Sequence, residues 1–273
     1  MVTLADMPKH RYAIRLAYEG GPFRGFQRQA ALPTVQEALQ GALRSCGIDA
    51  SLAVAARTDA GVHALAQVVS FAADADVEPD ALRSDLNREL PPGILCLEVR
   101  RVGRSFHARA SARSRRYVYL VGTPPPAGLA PYAWTLPDPR AFPGLGHRPL
   151  DVAAMQEALT FAVGSHDFVG FARPGAQRNT VRELLRAEVV ASAAEPVVAI
   201  VLEGSGFLRA MVRNLVGTAV AVGLGLAPAK LVAELLLARS RYRGVRAPGW
   251  GLTLAAVDYP EAMWPPAPPA GPA

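Results

Sequence analysis

The sequence predicts an α+β chain in two halves, each pairing hairpin-like strands with covering helices. Three observations carry this. Segments of alternating apolar and polar residues recur with the period of half-buried strands. Between them lie segments that carry helix-start signals and helical apolar spacing. A stretch rich in Pro and Gly, Pro124 to Pro149, separates two regions of similar make-up. At 273 residues, 51% apolar and 19% charged, the chain can build one large core or two small ones.

Residues 11–18, RYAIRLAY, put Tyr12, Ile14, Leu16 and Tyr18 on one face of a strand. The loop EGGPFRGFQRQ follows. Thr34 then opens a helix, with Glu37 placed for a capping box ahead of Val35, Leu39 and Leu43. LAVAA and ALAQVVSFAA read as strands flanking AARTDAGVHA, Ala55 to Ala64. Residues 79–90 read as a helix with Pro79 in its first turn. GILCLEVRRV and RRYVYLVG are strands again.

After the crossover at 124–150, a helix opens at Asp151 and strands follow at 181–191 and 196–204. A long apolar helix is expected from about Phe207, another over about 228–239, and GLTLAAVDY as a closing strand. The expected subdomains are 11–123 and 151–260. The tails, 1–10 and 261–273, are expected to be disordered, the second because PPAPPAGPA cannot pack.

A formal charge of +6 and a pI of about 9.7 favour an anionic partner. Of the 29 basic residues only Lys9 and Lys230 are not Arg, the residue whose planar fork suits phosphate and stacks on bases. Genome composition accounts for much of that ratio, so clustering is the better guide. Cys46 and Cys96 are isolated and imply neither a disulfide framework nor a metal knuckle. MVTLADMPKHR lacks the apolar stretch of a signal peptide. The run Leu215–Ala229 is too short to span a bilayer, so a cytoplasmic, soluble protein is expected.

Asp59 lies in a run of small residues between Arg57 and Gly61. If LAVAA continues through Arg57, then Arg57 and Asp59 project to one side. Gly61 would permit a tight turn or a close ligand. The local pattern alone fits a turn aspartate bonding its own backbone better than a catalytic carboxylate. Seven arginines fall within Arg100–Arg116, directly before Tyr117 and Tyr119. Cations interleaved with rings suit an unstacked nucleic acid, although any one arginine could belong to a solvated strand face. In GFLRAMVRNLVG, Arg209 and Arg213 would share a face of an apolar helix. An arginine buried there needs an anionic partner, either an ordinary structural acid or Asp59. His63 could be a base or simply bond a backbone group, and His107 could be a structural donor or a phosphate contact.

Several patterns are absent. There is no His-x-Glu with Pro-Cys-x-x-Cys of a zinc deaminase, no P-loop, no dinucleotide fingerprint and no nucleophile-elbow serine. Three classes remain open: a cofactor-free RNA isomerase, a non-catalytic RNA-binding module with Asp59 structural, and a metal-dependent phosphoryl-transfer enzyme. The last would need further acids near Asp59, and residues 50–73 contain none.

RTDAGVHALAQVVSF resembles the catalytic motif of the TruA family of tRNA pseudouridine synthases. YEGGPFRGFQRQ, TVQEAL, FHARASARSRRYVY, HDFVGFA, GFLRAMVRNLVG and APGWGLTLAAVDYP resemble further segments of it, in order, over about residues 11–260. The resemblance implies two pseudo-symmetric α/β subdomains on a continuous, mainly antiparallel sheet flanked by helices, with a cleft between them. It also implies isomerisation of uridines at positions 38, 39 and 40 of the tRNA anticodon stem-loop. Asp59 falls on the nucleophile, Arg213 on its ion-pair partner, Arg57 on the residue that helps to extrude the nucleotide, and Tyr117 on the ring packed against the target base. His63, Arg109, Arg115, Arg116, Arg209 and Leu252 are the further substrate contacts expected. A homodimer in which one tRNA contacts both protomers is implied, with no cofactor or metal. Phe26, Ala110 and Ala210 depart from the residues usual at those places.

Overall fold

The computed structural model describes residues 10–173, 179–237 and 245–264. The first strand, β1 (His10–Tyr18), buries Tyr12, Ile14, Leu16 and Tyr18 on one face, as its alternation requires. Helix α1 (Val35–Ser45) begins at Thr34, whose hydroxyl accepts the Glu37 N–H at 3.3 Å. Only that half of the capping box forms, because the Glu37 carboxylate turns to Arg28 at 3.9 Å. The expected LAVAA strand shrinks to β2 (Ala53–Val54), and Arg57 and Asp59 lie in the loop after it. Their common strand face therefore does not exist. The Asp59 loop leads into β3 (His63–Ala73), the strand expected there.

Helix α2 (Pro79–Glu89) has Pro79 in its first turn and is capped by Glu78, whose carboxylate accepts the Ala81 N–H at 2.6 Å. Strands β4 (Ile94–Val102) and β5 (Ser114–Gly122) follow. The Pro- and Gly-rich crossover is not wholly irregular. It holds a 3₁₀ turn at Ala130–Tyr132 and a short strand, β6 (Ala133–Thr135), which adds in parallel to β5.

In the second half, α3 (Val152–Thr160) is capped by Asp151. Strand β7 (Gly164–Asp167) and a 3₁₀ turn at Phe168–Phe171 fill a stretch whose mixed pattern gave no strand signal. Strands β8 (Val181–Ala191) and β9 (Val197–Gly204) form the expected hairpin. The apolar helix α4 (Met211–Gly223) begins four residues later than expected, because Ala210 takes a left-handed conformation, φ +65°, at its N-cap. Helix α5 (Leu231–Leu237) lies within the span expected for it, and β10 (Leu252–Asp258) closes the chain's sheet. Glu261–Trp264, expected to be tail, instead form a turn. It seats Trp264 between Phe106 and Tyr259, with the guanidinium carbons of Arg15 and Arg100 at 5.2 and 5.0 Å from its ring centroid. The segment PPAPPAGPA and residues 1–9 lie outside the described residues.

One sheet runs through both halves in the order β4-β1-β3-β10-β5-β9-β8-β7. Its pairs are antiparallel except β10 with β3 and β6 with β5. Helices flank it in a mixed α+β architecture, and one continuous apolar cluster joins their buried residues to Tyr12, Ile14, Leu16, Tyr18, Tyr117, Tyr119, Ile200 and Leu202. A smaller cluster of Ala13, Val68, Phe106, Ala108 and Trp264 covers the other face of β1. The placement of β10 matters most for function. It arrives from the end of the chain and lies between β3 and β5, setting Thr253 opposite His63 and Leu254 opposite Tyr117. Elements of both halves thus meet at mid-sheet.

Candidate active site

Asp59 stands on a loop held from every side. Its neighbour Thr58 is buried, and the Thr58 and Tyr18 hydroxyls lie 2.7 Å apart. Gln67, with no exposed surface, donates to the Tyr18 hydroxyl at 3.2 Å and to the Ala56 carbonyl at 2.7 Å. Burial raises the Tyr18 pKa to about 12, so the phenol keeps its proton for this network. The Phe26 N–H donates to the Thr58 carbonyl at 3.1 Å, and Val62 N–H closes a turn onto the Asp59 carbonyl at 3.2 Å. Phe26, one of the residues that depart from the family pattern, is buried and still makes this backbone contact.

Two glycines let the chain close on this loop. A Cβ at Gly25, φ +98°, would lie 2.9 Å from the Thr58 carbonyl oxygen, and one at Gly249 would lie 2.3 Å from that of Ala60. Only bare backbone fits on either side of Asp59.

The carboxylate itself reaches across to the second half. Arg213 Nη1 donates to Asp59 Oδ2 at 3.1 Å, with the two side chains 19% and 27% exposed. Arg213 projects from the first turn of α4, and its Nε donates to the Ala247 carbonyl at 2.7 Å while Ala247 N–H donates back to the Arg213 carbonyl at 3.1 Å. The guanidinium is therefore oriented independently of the carboxylate. Arg209 comes near the other oxygen, Nε to Oδ1 at 3.9 Å, but is largely exposed. It lies in the turn before α4, so the helix face expected to carry both arginines is not what unites them. Asp59 does not bond its own backbone as an ordinary turn aspartate would.

Tyr117, at the centre of β5, packs edge-on against Phe207 with ring centroids 5.3 Å apart. Burial raises its pKa, and the nearby Tyr18 and Asp59 push the same way. Leu252 is buried opposite Tyr119 on the same sheet face and belongs to the core beneath the cleft. His63 accepts the Gly20 N–H at its Nδ1 at 3.1 Å. Its Nε2 meets no partner in hydrogen-bond geometry, the Trp250 backbone acting on it only as a looser contact. Burial lowers the His63 pKa against the opposing pull of that backbone and of Glu19, so the ring is a neutral strut. Arg57 is exposed and has no acidic partner among the described residues.

The arginine-rich segment divides into several roles. Arg100 pairs with Glu98, Arg101 with Asp76, and Arg116 Nε with Glu203 Oε2 at 2.8 Å. Burial alone would raise the Glu203 pKa, but hydrogen bonds from Ser114 and Arg116 outweigh it and hold the carboxyl below its usual range. Arg115, expected to contact substrate, is 7% exposed and gives all five N–H donors to backbone carbonyls. Nε and Nη2 reach Ala55 at 3.3 and 3.1 Å, Nη1 reaches Ala112 and Ser205 at 3.3 and 2.8 Å, and Nη2 reaches Arg109 at 2.6 Å. Nothing of the fork is left for phosphate, so its role is to knit the Asp59 loop to its neighbours. Burial lowers its pKa accordingly. Arg109, whose carbonyl Arg115 holds, leaves its own side chain exposed, as do Arg104 and Arg113.

A cavity of about 620 Å³ opens beside this centre, lined by Ala60, Gly61, Arg213 and Trp250 and by Arg24, Arg140 and Arg246. The last three and Trp250 carried no role in the sequence reading. Arg24 and Trp250 do sit inside the segments that resemble the family, the one signal that pointed to them.

A family model described as tRNA pseudouridine synthase matches residues 16–109 and 158–260. Proteins named tRNA pseudouridine synthase A from Neisseria gonorrhoeae and Frankia casuarinae are 41% and 42% identical, over 93% and 92% of this chain and 94% and 89% of theirs. The chain belongs to the tRNA pseudouridine synthase family. The synthase of that name from Aeromonas hydrophila is 37% identical over 96% of this chain and 95% of its own. The crystal structure of a Cbf5–Nop10–Gar1 complex aligns at a TM-score of 0.37 with 12% identity, over 78% of this chain and 45% of that one, too loosely to add to the assignment. Membership makes the protein an RNA uridine isomerase acting on tRNA, and the Asp59 loop falls within the first matched stretch.

Proposed function

We propose that this synthase converts uridines at positions 38, 39 and 40 of the tRNA anticodon stem-loop to pseudouridine, with Asp59 as nucleophile and no cofactor or metal. The observation that carries the reading is the Asp59 carboxylate held 3.1 Å from Arg213 of the other half, with the buried Tyr117 ring close enough to feel its charge. The reaction breaks the N1–C1′ bond and joins C5 to C1′. A proton leaves C5 and one is taken at N1, so neither oxidant nor water is consumed.

The target base must first leave its stack, at a cost of a few kcal/mol, order of magnitude. Arg57, exposed two residues before Asp59, is assigned the contact with the strand as the nucleotide swings out, its exposure supporting that role. Tyr117, backed by Phe207, offers the ring surface that replaces the lost stacking. Because Arg213 engages Oδ2, Oδ1 is the freer oxygen and the one assigned to attack. Arg213, already fixed by Ala247, needs no rearrangement to serve as counter-charge.

The protein is further proposed to act in the cytoplasm as a homodimer, one tRNA touching both protomers. Mapping pseudouridine in tRNA from cells lacking this protein tests the assignment. Loss confined to positions 38–40, restored by the purified protein, supports it, and unchanged modification there contradicts it. Sedimentation of the protein with and without tRNA tests the dimer.

A further inference from the structure

The cavity beside Asp59 collects more positive charge than the catalytic pair uses. Arg24, Arg140, Arg213 and Arg246 line it, against the single carboxylate of Asp138. Asp138 is already engaged, accepting Trp134 Nε1–H and the Arg140 N–H at 2.9 Å each. Arg213 is committed to Asp59 and to Ala247. Among the described residues Arg246 donates only its Nε, at 3.1 Å, to the Asn214 side chain, which Phe171 holds in turn through its carbonyl at 2.7 Å. The side chains of Arg24 and Arg140 have no partner among the described residues, and both are exposed. Such a surplus around one concavity is a site for an anion. Trp250 adds a ring, 41% exposed, on the same wall.

Guanidinium groups together with an open aromatic face fit a nucleotide, with phosphate on the forks and base on the ring. The position sets which nucleotide. Ala60, Gly61 and Arg213 belong both to this cavity and to the surroundings of Asp59, so its occupant neighbours the target uridine along the strand. The backbone here is built for close approach, since Gly249 allows the Trp250 segment to lie on the Ala60 carbonyl.

We propose that this cavity is a second nucleotide subsite, in which Arg24, Arg140 and Arg246 hold the phosphate of an unpaired nucleotide adjacent to the target and Trp250 stacks on its base. The subsite rests on the tRNA reading above and deepens it. It fixes the strand on one side of the target, so that extrusion of the uridine works against a clamped neighbour. Arg24 and Arg140 contribute charge, and Trp250 contributes the preference for an unpaired base over a helical one.

The test measures binding of a full-length, dye-labelled tRNA transcript across a range of salt for wild type, Arg24→Gln, Arg140→Gln, Trp250→Leu and a control, Arg88→Gln. Arg88 is an exposed arginine on α2 paired with Asp85. Each cavity arginine variant is expected to weaken binding about tenfold and to flatten the log K against log[salt] slope by part of the roughly 0.7 to 0.9 that one neutralised phosphate contributes. Trp250→Leu should weaken binding about tenfold with the slope unchanged, because stacking releases no counter-ions. Binding and slopes equal to wild type in all three cavity variants, or an equal loss in Arg88→Gln, overturn the subsite. Wild-type protein that forms pseudouridine while these variants bind normally overturns the subsite alone. Wild-type protein that forms none overturns the tRNA reading and the subsite with it.

Discussion

Replacing Arg115 by Met keeps much of the side-chain volume and removes all five donors of a fork that is 7% exposed. Four carbonyls, those of Ala55, Arg109, Ala112 and Ser205, then lose a partner. At about 1 kcal/mol for each buried acceptor left unpaired the loss is ~4 kcal/mol. Relief from burying a cation without a counter-anion offsets part of it, leaving about 3 kcal/mol. At roughly 2–4 °C per kcal/mol for a chain of this size, the melting temperature should fall by about 6–12 °C. Arg115→Lys keeps the charge but not the planar fork and should fall nearly as far. The assay is thermal unfolding of the free protein, paired with the salt dependence of tRNA binding. A structural knot predicts a lower melting temperature and an unaltered salt slope. A melting temperature within about 2 °C of wild type, with the slope flattened by about one phosphate contact, would refute the reasoning and return Arg115 to the RNA surface.

Three further outcomes follow from the geometry. Arg213→Met removes a charge-assisted contact at 3.1 Å worth about 1.5–3 kcal/mol, so the single-turnover rate should drop roughly 10- to 100-fold. If Tyr117 stacks on the base as proposed, Tyr117→Phe should retain most of the rate and Tyr117→Leu should lose most of it, because the proposed contact uses the ring face rather than the hydroxyl, as single-turnover kinetics would register. His63 is held below its ordinary value of 6.5 by burial, so below that pH the unfolded chain takes up the proton more readily. Its contribution to stability is complete above pH 6.5 and is lost as pH falls from there through the folded value. Protonation of Nδ1 would also break its bond from Gly20 N–H at 3.1 Å. Urea unfolding between pH 5 and 8 should show this slope in wild type, and His63→Gln should flatten it.

The parts of this fold that were legible in the sequence are those fixed by local chemistry. Thr34 and Asp151 mark helix starts because their side-chain oxygens answer orphan backbone donors within three residues. Alternation in β1 and β9 reports one buried face, which any sheet neighbour would satisfy. What was not legible depends on distant partners. LAVAA has strand composition, but only Ala53 and Val54 pair in register with β3, and after one last bond from Ala55 N–H to the Val68 carbonyl the chain leaves the sheet before Arg57. Nothing in GFLRAMVRNLVG signals that Ala210 would take a positive φ and move Arg209 off the helix. Strand β7 has no apolar alternation and forms because β8 offers it an edge.

The candidate site shows the same division. The Asp59 motif was visible as residues, and its pairing with Arg213, 154 positions away, was expected from the family resemblance, whereas the local pattern left an ordinary structural acid equally open because the contact depends on how β10 and α4 pack. Within one arginine-rich segment, sequence assigns a common purpose to side chains that the fold treats differently. Arg116 has an acid across the hairpin at Glu203, Arg115 is turned inward, and Arg109 remains outside. The inward turn is set by the carbonyls of Ala55 and Ser205, which no local pattern brings near. Arg24, Arg140 and Arg246 come together only in three dimensions, from three separate loops.

The measurement that bears most directly on the central claim uses tRNA carrying tritium at C5 of uridine, since forming the new C5–C1′ bond expels that hydrogen. Asp59→Asn, nearly isosteric and uncharged, should release no tritium and leave no pseudouridine by mass spectrometry, while binding tRNA within about threefold of wild type. Tritium release by this variant at the wild-type rate would contradict the assignment of Asp59 as the nucleophile.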